Sequence, residues 1–455
     1  MSKSAWYNGL FSRFETKVFL LALAVRLLFV VLYPGINYYG GITGEYLDVV
    51  NNILSGHGLT QYVDIAPYDS GRVQMEYMPF VARPLGYVTF LTIISFFTGI
   101  APVAYQIVQA LITAFSAVLV YKLVKILFDK HDRVHSIAKA AAVLAAVWPN
   151  QARFEITILP DGPTTLIMLG FAYQLTMLAK TGERKHLIYS AIILTTSILL
   201  RPDFVLFPSF FILAAILLFG YKRAIVQVAV LAAMLAVMIG LNTWKNYAIS
   251  GEIVPLNLGS GTTMYEGISQ FGDTLGTTYV DDRVAHNKLN SKELFYPNGP
   301  KNDRMLFNEA VEIIKANPGF YAKLLIKRIP LMFTVRGLYF SDSVSFLDPN
   351  QDLAKRFPDK YIDMAKTKPV ELTVRMLSPA LGWLLVILGF WGLIKALRHD
   401  WRTHIMIAAL LLYWILSHLA TNVEPRYFYP AVPLLYGYAV YLIYTWRTRK
   451  KAIHA

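Results

Sequence analysis

GGITGEYLDVVNNILSGHGL, residues 40–59, follows directly on a hydrophobic run that ends at Tyr33. It sets two acids, Glu45 and Asp48, about one helical turn apart beside a segment of membrane length. Thr43 can cap a helix that begins at Gly44, so that Glu45 and Asp48 project from its first turns and Asn52 lies a turn further on. A helix N-terminus favours such carboxylates by about 0.3–1 kcal/mol. Capping and hydration at an interface are one reading of the pair; a general base working at the membrane surface on an incoming hydroxyl or amine is the other.

The rest of the chain explains why acids stand beside so apolar a run. Of 455 residues, 55% are hydrophobic and 16% charged, against about 25% charged in an ordinary soluble domain. Mean hydropathy is +0.44. Apolar runs recur at lengths that cross a bilayer core of roughly 30 Å, and the short alternating segments of a β-barrel are absent. The composition predicts an all-α polytopic membrane protein. The formal net charge is +14, but the cations sit in short loops and at the C-terminus, where they mark one membrane side and not a nucleic-acid surface. Cysteine is absent, which removes disulfides, thiolate metal sites and a cysteine nucleophile. The opening MSKSAWYNGLFSRFETK lacks a clear small-residue cleavage site and reads as leading into a retained first span.

Spans are expected near 17–33, 103–127, 136–151, 158–179, 187–200, 203–219, 223–245, 376–397, 403–420 and 428–446. With a cytoplasmic N-terminus, the basic groups around Lys17, Arg133, Arg184, Arg223, Arg402 and Arg449 all fall on one side, and the C-terminus with them. The other side receives 34–84, with five acids against two arginines, and a long stretch from 246 to 375. Residues 85–100 and 319–340 read as helices lying in the outer interface. These features divide the chain into an N-terminal membrane module (1–250) with an outer loop at 34–84, an outer segment (251–375) and C-terminal spans (376–455). No internal repeat is visible, which weakens a secondary-transporter reading.

Candidate chemistry gathers on that outer side. Asp161 in ITILPDGPTTLIML opens a span, where an acid must face water or a partner; a helix cap before Gly162-Pro163 is the plain alternative. Arg201 in LLRPDFVLFP breaks the positive-inside pattern, and its partner is Asp203, Asp161 or a phosphate. Arg426, beside Glu424 and Tyr427 in NVEPRYFYPAVPLL, repeats the anomaly, and Arg83 in ARPLGYVTF is the third outer arginine. A guanidinium fork suits phosphate, so three of them on an acidic face suggest an anionic ligand such as a lipid phosphate, with ion pairs such as Arg426–Glu424 as the alternative. His57 is isolated and reads as a turn residue, and the acid pair in VDDR at Asp281 as a hydrated loop. No phosphate-binding loop or dinucleotide fingerprint occurs.

These pieces, in this order, resemble the GT-C superfamily of membrane glycosyltransferases, in particular the dolichyl-phosphate-mannose protein mannosyltransferases and the lipid A aminoarabinose transferases. EYLDVVNNILSGHGL, ARPLGYVTF, ILPDGPTTLIML, LLRPD, KNYAISGEIVPLNLGSGTTMYEG and EPRYFYPAVPLL carry the likeness. The resemblance implies a GT-C-like bundle of about 10–12 spans with outer interfacial helices, and transfer of a monosaccharide from a polyprenyl-phosphate sugar. The acceptor, a glycan, lipid or protein, would meet it on the periplasmic or lumenal face, in a bacterial or archaeal plasma membrane rather than the endoplasmic reticulum. Membrane lipids are expected partners and nucleic acid is not.

The resemblance also assigns roles: Glu45, Asp48 and Asp161 as catalytic acids, Arg201, Arg426 and Arg83 for the donor phosphate, and Tyr46, Tyr87, Tyr427 and Glu424 for substrate. The family's catalytic aspartate falls at Ile42 here, which leaves Glu45 or Asp48 as base. Some relatives use a divalent cation, for which the sequence offers no convincing site; no cofactor is expected beyond such an ion. A lipid-linked-sugar flippase and a non-catalytic assembly subunit are the competing readings.

Overall fold

The computed structural model describes residues 12–35, 40–334, 366–367 and 369–453. The first helix, α1 (Arg13–Leu32), starts with a capping box in which Glu15 N–H donates to Ser12 Oγ at 3.3 Å and Ser12 N–H to Glu15 Oε2 at 3.0 Å. Helix α2 (Gly40–Leu54) follows, and then two short strands, β1 (Thr60–Asp64) and β2 (Met75–Pro79), pair antiparallel from Thr60↔Pro79 to Asp64↔Met75. Helix α2 begins earlier than the Thr43 cap predicts: Thr43 lies inside it and spends its hydroxyl on the Ile158 carbonyl at 3.1 Å.

Next come α3 (Leu85–Thr98), α4 (Pro102–Thr113) and α5 (Phe115–Leu127). The span expected at 103–127 is α4 and α5 run together through Ala114, whose φ of −58° and ψ of −26° stay helical. The span expected at 136–151 is instead divided into α6 (Val134–Val147) and α7 (Pro149–Glu155), because Pro149 has no N–H to continue the ladder and drives Trp148 out of the helical region. Helices α8 (Asp161–Thr181), α9 (Arg184–Leu200), α10 (Phe207–Phe219) and α11 (Tyr221–Ser250) complete the first half.

The outer segment contributes α12 (Ser260–Ile268), α13 (Gly299–Ala316) and α14 (Pro318–Met332). The last part of the helix expected at 319–340 lies outside the described residues. The two C-terminal spans expected at 376–397 and 403–420 are two helices that meet at a kink at Asp400, whose φ of −146° and ψ of 73° are non-helical; together they make up α15 (Pro369–Thr421). A tight turn at Pro425–Ala431 leads into α16 (Val432–Ile453).

Four helical stretches among the described residues, Pro102–Leu127, Pro202–Phe219, Tyr221–Ser250 and Leu377–Thr421, are long and apolar enough to cross a bilayer. The exposed Leu213, Val226, Val237, Leu241 and Trp244 side chains form apolar surface that water would penalise and lipid accepts. The chain is an all-α integral membrane protein apart from the one hairpin among its described residues. Helix α6 packs through the small buried residues Ala138, Ala141, Ala142 and Ala145, which let neighbouring helices come close.

A buried ion pair ties α1 to α7. Arg26 Nε donates to Glu155 Oε2 at 2.8 Å, and both side chains are fully shielded from solvent. Gln151 Nε2 donates to Glu155 Oε1 at 3.0 Å. Gln109 on α4 caps the same turn, its amide donating to the Glu155 and Thr157 carbonyls at 2.9 and 2.6 Å. These bonds fix the chain that leads into Asp161.

Candidate active site

Backbone contacts bring distant segments to one place. A Cβ on Gly86 would stand 2.5 Å from the Leu199 carbonyl oxygen, so only glycine lets the start of α3 meet the end of α9. That approach joins the segment carrying Arg83, just before α3, to the end of α9 that leads into Arg201. Thr43 ties α2 to the turn that delivers Asp161. Tyr46 and Tyr87 pack edge to face with centroids 5.1 Å apart, and Tyr87 donates its hydroxyl to Gln109 Oε1 at 2.8 Å.

Each outer arginine meets carboxylates. Arg83 forks onto Glu45, Nε to Oε2 at 2.8 Å and Nη2 to Oε1 at 3.2 Å, with both side chains about one-quarter exposed. Arg201 reaches Asp161 through Nη1 and Asp203 through Nε. Arg426 lies 3.0 Å from Glu424, and Tyr427 donates its hydroxyl to Glu424 at 3.2 Å. The Tyr427 ring is shared by two guanidinium groups, Arg201 at 5.2 Å and Arg426 at 5.3 Å from its centroid. Trp414 Nε1–H fixes the Tyr427 carbonyl at 2.7 Å, and His418 Nε2 stands 3.6 Å from Asp203.

Electrostatics show that these pairs share one region. Burial pushes the Tyr46 phenol up to about 12; Arg83, Glu45, Asp161 and Arg201 all act on it. Arg426 acts on both Arg83 and Arg201. The structure therefore brings together Glu45, Tyr46, Arg83, Asp161, Arg201, Glu424, Arg426 and Tyr427, while Tyr87 sits fully buried behind Tyr46. Asp48 is turned elsewhere: its Oδ2 accepts from Tyr62 N–H at 2.9 Å and holds α2 to β1. His57 stacks on Tyr77 at 4.1 Å as part of the hairpin's surface.

One further acid stands here that sequence reading passed over. Glu266 on α12 is nine-tenths buried, its Oε1 has no hydrogen-bond partner, and Asp281, Glu424 and Arg83 all act on it. Asp303 holds the start of α12 by accepting from Gly259, Gly261 and Thr262 N–H at 3.1, 2.9 and 3.1 Å. Arg328 of α14 clamps the other end, donating to the Gly267 carbonyl at 2.6 Å, the Leu419 carbonyl at 2.7 Å and Gln270 Oε1 at 2.9 Å. Gly267 is required there, since a Cβ would lie 2.1 Å from the Thr421 carbonyl oxygen. The MYEG motif gave the only cue in the sequence.

Burial, and then the facing Asp281 carboxyl, raise the Glu266 pKa well above its ordinary 4.5. A raised native pKa gives a stabilising contribution present in full below 4.5 and lost as pH rises through the native value. Glu266→Gln imitates the protonated form, so the variant is expected to hold its melting temperature toward alkaline pH where the parent declines. Parallel melting curves for the two proteins from pH 5 to pH 9 would contradict this.

Among the described residues no three His, Asp or Glu side chains are grouped as metal ligands. Glu45, Asp161, Asp203 and Glu424 are each paired with a guanidinium.

With this geometry in hand, residues 83–244 match the sequence model of the dolichyl-phosphate-mannose-protein mannosyltransferase family. That stretch includes Arg83, Tyr87, Asp161 and Arg201. Comparison with curated proteins returns no match. Among solved structures, the chain is similar to the archaeal oligosaccharyltransferase AglB from Archaeoglobus fulgidus in complex with an inhibitory peptide and a dolichol-phosphate, at 14% identity and a TM-score of 0.49, over 97% of this chain and 52% of that one. The apo form of the Archaeoglobus fulgidus enzyme gives 13% identity and a TM-score of 0.49, over 98% and 53%. The chain thus spans about half the length of these structures. The family match covers about a third of the chain, and over that stretch the chain is similar to this family of membrane mannosyltransferases.

Proposed function

We propose that the chain transfers a monosaccharide from a polyprenyl-phosphate sugar to an acceptor hydroxyl or amine on the outer membrane face, with both termini on the cytoplasmic side. The observation that carries this reading is the convergence of Arg83, Arg201 and Arg426 on one region, each leaning on a carboxylate. Phosphate competes for a guanidinium fork as well as carboxylate does. When the donor's phosphate takes Arg83, Glu45 is released from both of its bonds and becomes a proton acceptor.

The acceptor oxygen or nitrogen then attacks the anomeric carbon. The bond from that carbon to the phosphate oxygen breaks, its electron pair stays on the phosphate, and the acceptor's proton passes to Glu45. Arg201 and Arg426 are already in place where negative charge grows on the leaving group. Tyr427, between them, supplies an aromatic face and a hydroxyl. The lipid tail lies along the apolar helices that end at the site.

The test is incubation of the purified chain with radiolabelled polyprenyl-phosphate sugars and a panel of acceptors. Labelled product together with free polyprenyl phosphate is the expected result. Movement of intact donor across liposomes without bond breakage would favour a flippase, and donor binding with neither outcome an assembly subunit.

A further inference from the structure

At the other end of α9 from Arg201 lies a cavity of about 750 Å3. Two helical turnings frame it: α8 passes into α9 through Gly182, and α10 into α11 through Gly220. Its rim carries Arg184, Lys222 and Arg223, with no acid among the lining residues. Its walls are apolar, formed by Leu187, Phe219, Val226 and Val230.

Two features of this cavity oppose one another unless an anion fills it, and a third calls for a hydrogen-bond donor. Arg184 is the first residue of α9, and Lys222 and Arg223 the second and third of α11. Cations are disfavoured at the positive end of a helix dipole. Neither helix has a side-chain cap, since Glu183 makes no capping bond and pairs with Lys185, and Gly220 has no side chain. First-turn N–H groups lack the regular partner within a helix, and the first turns of α9 and α11 both line the cavity through Arg184, Lys222 and Arg223. Gln227, one turn deeper on α11, is nine-tenths buried and lines the cavity with its Oε1 unbonded. A buried amide oxygen without a partner is costly.

We propose that this cavity is a binding site for an anionic phospholipid of the leaflet opposite the active site. The phosphate sits among Arg184, Lys222, Arg223 and the two helix N-termini, a headgroup hydroxyl donates to the Gln227 amide oxygen, and an acyl chain follows the Leu187–Phe219–Val226 wall. The shape, the charge and the orphaned acceptor together select a phospholipid with a hydroxyl-bearing head. The inference stands apart from the transfer reaction.

Native mass spectrometry of the full chain in detergent tests it, with phosphatidylglycerol and phosphatidylcholine of identical acyl chains as probes. The parent protein is expected to hold one phosphatidylglycerol at least tenfold more tightly than phosphatidylcholine. Arg184→Ala/Arg223→Ala is expected to abolish that preference, and Arg398→Ala/Arg402→Ala, which removes the same charge from another loop, to keep it. Gln227→Leu, which leaves the charge unchanged, is expected to reduce it at least threefold. Equal binding of the two lipids by the parent, or equal losses in both double variants, overturns the proposal. So does displacement of phosphatidylglycerol by equimolar polyprenyl phosphate, which would make the cavity a carrier site.

Discussion

Glu45→Gln is expected to slow sugar transfer by about 10²–10⁴-fold, the usual contribution of a positioned general base. Glutamine keeps the side chain's length and can still bond to Arg83, so the segment from α2 to α3 stays in place. What disappears is the charge and the ability to take a proton. Donor binding should survive and even tighten, because phosphate no longer competes with a carboxylate for Arg83. The informative measurement pairs single-turnover transfer with a separate donor-binding assay. A variant that turns over at the parent's rate would remove Glu45 from the chemistry. One that loses binding and turnover together would make the Arg83–Glu45 fork a structural brace.

The second large effect concerns stability. Glu155→Ala leaves Arg26 charged, fully buried and without its carboxylate. Breaking one side of a buried pair costs about 3–5 kcal/mol, a large part of a typical margin of roughly 5–15 kcal/mol. The loss should appear as a marked drop in melting temperature in detergent. Transfer should fall with it, since α7 leads directly into the turn before Asp161. Arg26→Met/Glu155→Leu replaces the pair with apolar volume and is expected to recover most of the stability, because neither charge is then left stranded. If the double variant is as weak as Glu155→Ala, the pair contributes something packing cannot replace.

Much of this site is legible in the sequence because its residues break local rules. Arg201 and Arg426 fall in stretches that the charge pattern assigns to the cation-poor side, and Glu45 and Asp161 stand beside membrane-length helices, so each calls for a partner. Which partner is not legible. Arg83 takes Glu45, and Arg201 takes both acids that sequence offered it, because Gly86 meets Leu199 and Thr43 meets Ile158; spacing along the chain encodes neither contact. Glu266 escaped for the same reason, since its burial depends on Asp303, Arg328 and the end of α15.

In the fold, hydrophobic runs mark the helices well and their breaks poorly. The kink at Asp400 falls in the gap expected between 397 and 403, while the break at Trp148 lies inside a span expected as continuous. The hairpin at 60–79 is five residues a side, too short for its alternation to stand out, and its first strand is tied to α2 through Asp48.

The clamp made by Arg328 has a bearing on biosynthesis. It joins the outer segment to the last carbonyls of α15, and only beyond them come Glu424, Arg426 and Tyr427. A ribosome making roughly 5–20 residues per second therefore releases the first two guanidinium groups long before the third. Until the segment carrying Glu424, Arg426 and Tyr427 has been made, the nascent polypeptide holds only two of the three guanidinium groups, and the cluster cannot close before α15 is there for Arg328 to clamp.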